Sequence, residues 1–181
     1  FKQIIKTLRY DFINHGWINK IGLRNKGIDY ALKNYNNNQI ISIAILHENE
    51  IPIFLNKIPH DTNIEINISC PNAEKKMISD GLQPFLNQKR KWCIIKLSPI
   101  CNKKTIDNFY NAGFRQFHCS NTLPTSNGGL SGKSLITYNE NLIKYISNKY
   151  KDTTIIGGGG ITKWNDIQKY KYLTLLYVFI C

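Results

Sequence analysis

Asn67-Ile68-Ser69-Cys70-Pro71-Asn72 sets a thiol between two carboxamides. It closes the run Thr62–Ile68, whose β-branched residues suit a buried strand. Pro71 has no N–H to give to a sheet ladder, so the strand is expected to stop there. A thiol at a strand tip can take or give a proton, and carboxamides beside it can grip a planar polar ligand. A thiol inside a strand is only a small hydrophobe. The competing reading of Cys70 is a packed cysteine in a turn.

A second cluster is Ile155-Ile156-Gly157-Gly158-Gly159-Gly160-Ile161. Glycines let backbone approach a phosphate, and amides at a helix start attract anions. The run follows one expected strand and precedes a helical segment, so it reads as a phosphate site, with a tight turn as the alternative. Asn121-Thr122, just after Ser120, is followed by Gly128-Gly129-Leu130-Ser131-Gly132, read as a loop able to fold over a flat ligand. Carboxamides and hydroxyls suit imide and carboxylate edges. Lys96 ends an apolar run, where a buried ammonium needs an anionic partner, unless it snorkels outward. Asn19 lies in a loop of undefined geometry. His15, His47, His60 and His118 have no metal or triad spacing and read as surface or structural; no metal site is expected.

The elements that would position these groups repeat. Six short apolar runs, Gln39–Leu46, Thr62–Ser69, Trp92–Leu97, Arg115–Cys119, Thr153–Ile156 and Leu173–Ile180, alternate with helical segments at Ala73–Arg90, Lys103–Ala112, Tyr138–Tyr150 and Lys163–Tyr172. Gly81 and Pro84 break the first helical segment, and Gly113 stops the second. Without hairpin signals, this alternation implies a parallel sheet with covering helices. No G-x-G-x-x-G opens a helix near the first strand, which weakens a dinucleotide fold. Polar groups gathered after successive strands favour an α/β (β/α)8 barrel, about six of whose eight strands are visible. Counting from the C-terminal end puts the glycine run after strand seven, where barrels often bind phosphate.

The chain has 181 residues, starts at Phe1 and holds its only methionine at Met77. Such a length falls short of the roughly 250 residues of a full barrel, so a fragment or processed product lacking N-terminal strands is expected. The expected organisation is a single barrel domain over residues 1–181. No apolar run reaches membrane-spanning length and no signal-peptide stretch opens the chain. Five cysteines without C-x-x-C spacing suit reduced thiols in the cytoplasm. The formal net charge is +12, but the lysines are spread along the chain, so a nucleic-acid partner is not expected. A homodimer is compatible with the sequence.

Taken in order, Ile18–Asn25, Asn67–Asn72, Ile95-Lys96-Leu97, Ser120-Asn121-Thr122, Gly128–Gly132 and Ile155–Ile161 resemble the dihydroorotate dehydrogenases, flavoproteins of pyrimidine synthesis on a (β/α)8 barrel. The resemblance implies FMN as cofactor, dihydroorotate as small-molecule substrate and a separate electron acceptor. Cys70 would be the base that removes the C5 proton while hydride leaves C6 for flavin N5. Asn19, Ile21, Gly22, Leu23, Asn67, Asn72, Asn121 and Thr122 would bind the substrate. Lys96 would lie against the N1 and O2 side of the flavin, with Asn67, Ser120, Gly132, Gly159 and Gly160 also contacting FMN, the last two at its phosphate. A cysteine base resembles the family's soluble branch, which uses fumarate, NAD or another acceptor; the membrane-associated branch uses serine. Val178-Phe179 departs from the small pair that the family carries on its last strand. A dihydrouridine synthase-like enzyme acting on tRNA and a non-catalytic phosphate-binding barrel remnant are the alternatives.

Overall fold

β-Branched, apolar runs of four or five residues punctuated by Gly, Pro and Asn dictate short strands, and the computed structural model contains them. It describes residues 7–68 and 79–177. Expectations that fall on Ser69, Cys70, Pro71 and Asn72, on most of the segment from Ala73 and on Val178-Phe179 lie outside the described residues. In chain order the elements are β1 (Leu8–Asp11), β2 (Gly16–Asn19), α1 (Gly27–Lys33), β3 (Ile41–Ala44), α2 (Glu50–Lys57) and β4 (Ile64–Asn67). There follow α3 (Ser79–Leu82), a 3₁₀ turn (Gln83–Phe85), β5 (Cys93–Lys96), α4 (Lys103–Asn111), β6 (Gln116–Cys119), β7 (Leu123–Thr125) and β8 (Gly128–Gly132). Last come α5 (Leu135–Lys149), β9 (Thr154–Gly158), α6 (Trp164–Ile167) and β10 (Leu175–Tyr177).

The residues cluster into two units: Asn25–Leu97 with Asn102–Phe117, and Phe1–Arg24 with Ser98–Cys101 and His118–Cys181. In the first, β3, β4 and β5 are parallel neighbours, with Ala44 opposite Asn67 and Asn67 opposite Lys96. Ile64, Glu65 and Ile66 are all buried, as expected of a parallel strand covered on both faces. Asn102 caps α4 by accepting from the Thr105 amide at 2.8 Å. The helix ends where Gly113 takes φ +105° and the Phe114 amide reaches back to the Phe109 carbonyl, so glycine stops it as expected.

In the second unit β9 and β10 are parallel, with Leu175 opposite Ile156. Beside them is an antiparallel sheet in the order β1-β2-β8-β7. This corrects the expectation of an alternation without hairpins. Asn19 ends strand β2 instead of lying in a loop, and Gly128–Gly132 is strand β8, pairing with β2 across more than a hundred residues of sequence. The helix expected over Lys163–Tyr172 is the single turn α6. α5 begins at Leu135 and buries Leu135, Asn139, Leu142 and Ile146, one face of its 3.6-residue period.

Arg90 is buried. Its guanidinium donates to the carbonyls of Thr62 (2.5 Å), Phe85 (2.6 Å) and Pro59 (3.1 Å). It thereby ties the approach to β4 to the turn that leads into β5. Arg90→Ala, which orphans these carbonyls, is expected to lower unfolding stability by about 3 kcal/mol in urea titration. A loss near zero would mean that water replaces the guanidinium.

Candidate functional site

Side chains on a strand alternate faces, so the parallel register places Ser42, Glu65, Asn67 and Lys96 on one face of β3–β5. The Lys96 ammonium stands 3.5 Å from Glu65 Oε1, which also accepts from Ser42 Oγ at 2.7 Å. The anionic partner that a cation at this strand end requires is therefore Glu65, and Lys96 does not snorkel free: its side chain is 23% exposed and that of Glu65 is 11%. Sequence reading missed Glu65, although a carboxylate midway along an apolar strand is the signal that announces one. Asn67, the last residue of β4, is half-buried beside this pair.

The second unit gathers Asn19, Ser120, Thr122, Gly132, Gly159 and Gly160. The Asn19 carboxamide donates to the Gly129 carbonyl at 3.4 Å. Thr122 lies so close to Gly129 that a Cβ there would collide with its hydroxyl. A Cβ on Gly132 would stand 2.8 Å from Gly16 Cα, and one on Gly160 would stand 2.6 Å from the Gly132 carbonyl oxygen. Gly16, Gly132 and Gly160 thus form a stack of backbone on backbone that side chains would force apart. Asn121 Oδ1 accepts from the Thr122 amide at 2.8 Å. Ile21, Gly22 and Leu23 run in an irregular segment after β2; Leu23 is exposed and Gly22 has open space around it.

The four glycines that close β9 and follow it divide their work. Gly157 packs against Leu173, 2.5 Å from where its Cβ would be. Gly159 and Gly160 hold φ of +85° and +70°, a conformation that side chains resist. A Cβ on Gly159 would come within 3.0 Å of both Ser120 Oγ and Asn139 Nδ2. α6 starts only at Trp164 and spans one turn, so an anion here must be held by loop amides instead of a helix terminus. Asp166 organises the exit from the loop. Its carboxylate accepts from the Thr162 amide at 3.0 Å, the Thr162 hydroxyl at 2.9 Å and the Lys163 amide at 3.1 Å, and these bonds, led by that of the Thr162 backbone, hold its carboxyl below the usual range.

Burial pushes the thiols of Cys93 and Cys101 up to about 11 and raises that of Cys119 further. None is a thiolate near neutral pH. His118 is buried on β6. Among the described residues no group of three or more His, Cys, Asp or Glu could hold a metal, and no helix is long and apolar enough to cross a membrane.

No protein-family model matches the chain. It is similar to the catalytic subunit of dihydroorotate dehydrogenase B (NAD(+)) from Petrotoga mobilis, with 30% identity over 86% of this chain and 63% of the relative. The proteins of the same name from Bacteroides thetaiotaomicron and Phocaeicola vulgatus are 28% and 26% identical, each over 86% of this chain and 62% of the relative. The chain therefore spans about 62% of the length of these curated relatives. A solved dihydroorotate dehydrogenase from Eimeria tenella, in complex with ferulenol, superposes with a TM-score of 0.67 and 16% identity, over 92% of this chain and 62% of that one. That likeness shows the fold class, the (β/α)8 barrel, of which β3–β6, β9 and β10 are six strands.

The ion pair on β4 and β5 is open to a double-mutant cycle. Lys96→Met should cost about 1 kcal/mol in urea unfolding by leaving the Glu65 carboxylate without its cation, and adding Glu65→Gln should recover part of that loss. Strictly additive effects would mean that the pair contributes nothing.

Proposed function

We propose that this chain is a member of the dihydroorotate dehydrogenase family and that the protein oxidises dihydroorotate to orotate with FMN as cofactor. One observation carries the reading. Asn67 and Lys96 are the last residues of β4 and β5, while Ser120 and Gly159 are the first residues past β6 and β9, so the candidate groups all stand at carboxyl ends of strands. That is the end at which barrel enzymes do their chemistry.

The residues present fit the cofactor. Gly159 and Gly160, with no side chain and positive φ, leave backbone amides open to a phosphate, and Lys96 is a cation able to face the pyrimidine edge of a flavin. When bound, FMN would supply the two-electron acceptor for the hydride leaving C6 of the substrate. Cys70 takes the C5 proton as thiolate. Asn19, Ile21, Gly22, Leu23, Asn67, Asn72, Asn121 and Thr122 orient the substrate through its amide and carboxylate edges. Lys96 balances negative charge at the cofactor, and Glu65 keeps the ammonium in place. Ser120 and Gly132 complete the cofactor contacts. The relatives' name, catalytic subunit of an NAD(+) enzyme, supports NAD+ as the electron acceptor.

The full-length protein should purify with FMN, and anaerobic dihydroorotate should bleach the flavin. Cys70→Ala should retain FMN and slow that bleaching by about 100-fold or more, the contribution of a positioned base. An unchanged rate would remove Cys70 from the role, and a wild-type protein that binds no FMN would sink the whole reading.

A further inference from the structure

Asn139 and Tyr170 are polar side chains buried where neighbouring positions are apolar. Asn139 is fully buried on the apolar face of α5, between Leu135 and Leu142, and Tyr170 is 7% exposed beyond α6. Both reach the Gly158 carbonyl, and Tyr170 reaches that of Gly159 as well. Asn139 Nδ2 donates to the Gly158 carbonyl at 2.7 Å. The Tyr170 hydroxyl lies 2.8 Å from that carbonyl and 2.5 Å from the carbonyl of Gly159. One hydroxyl has a single proton, so it is shared between the two oxygens, and Gly158 uses both lone pairs.

The consequence follows from peptide planarity. Among the described residues every peptide is trans, and in a trans peptide the N–H points opposite to the C=O. With the Gly158 and Gly159 carbonyls drawn to Asn139 and Tyr170, the amides of Gly159 and Gly160 are turned the other way. Successive amides so presented form an anion-binding concavity. We infer that Tyr170 and Asn139 are positioning residues that fix the Gly159 and Gly160 amides for the phosphate of the cofactor. This rests on the FMN reading above but asks something different: which side chains hold the phosphate cradle in shape. Burial keeps the Tyr170 hydroxyl protonated, pushing it up to about 12, so the donor is present throughout the neutral range. Asn139 Oδ1 has no hydrogen-bond partner among the described residues, so the carboxamide is held there for its donor alone, at the cost of a buried acceptor.

The test compares ligands with and without a phosphate. In the full-length protein, Tyr170→Phe should weaken FMN binding by about 10-fold, the loss of one hydrogen bond's ordering of the cradle, by fluorescence titration. Riboflavin, which lacks the phosphate, should bind as it does to wild type, and inorganic phosphate should protect the variant less against thermal unfolding. Where Tyr170→Phe fails to fold, Asn139→Leu carries the same expectation, because it removes an unsatisfied acceptor along with the donor. Equal weakening of FMN and riboflavin, or no weakening of FMN, would overturn the positioning role while leaving the flavin reading intact. A wild-type protein that ignores FMN but shows Tyr170-dependent phosphate protection would overturn the flavin reading and uphold the cradle. Indifference to both ligands would overturn both.

Discussion

A backbone carbonyl left at the end of a buried strand must find a donor, because the desolvation cost of an orphaned one rivals a large share of a domain's net stability. In this chain side chains supply those donors, and the fold is tied at the places where they do. Arg90 satisfies Thr62, Phe85 and Pro59 ahead of β4 and β5. Asn139 and Tyr170 satisfy Gly158 and Gly159 after β9. Each of these donors is itself buried, so each also fixes the helix or loop that bears it. A barrel strand that delivers chemistry from its tip needs a tip that does not move, and at β9 the bonds of Asn139 and Tyr170 hold it.

Glycine works in the opposite sense, by removing bulk. Gly16, Gly132 and Gly160 let β2, β8 and the loop after β9 approach with backbone on backbone, closer than any Cβ would allow. The approach brings amides and carbonyls of three segments to one place without side chains in between. A surface built this way recognises ligands by dipoles whose positions are fixed by the fold, which loses less entropy on binding than side chains that must first be ordered.

Legibility in the sequence tracked the range of the determining interaction. All six barrel strands could be read from continuous local apolar runs, and in Ile64–Asn67 and Cys93–Lys96 burial on both faces is what writes the run. The antiparallel sheet could not. Gly16-Trp17-Ile18-Asn19 and Gly128-Gly129-Leu130-Ser131-Gly132 lack the β-branched alternation that marks a strand, and they become strands by pairing with each other and with β1 and β7. The end of α4 was legible at Gly113, whereas the single turn α6 was not, since Asp166 sets its start through contacts of side chain on backbone that leave no periodic mark. Lys96 was recognised as needing an anion; naming Glu65 took the strand register, which no single run contains.

The same contrast bears on the choice of base. Five cysteines are available, and composition alone does not rank them. Burial removes three: Cys93, Cys101 and Cys119 sit where the thiolate is disfavoured by lost hydration, Cys119 most of all. They are the first residue of β5, a turn residue and the last residue of β6, each packed where a thiol serves as a small hydrophobe. Cys70 differs in sequence context, three residues past the end of β4 and followed by a proline that no central strand would accept. Burial, more than residue type, separates a thiol that packs from one that can exchange a proton: Cys119 also ends a strand, yet lost hydration keeps it neutral.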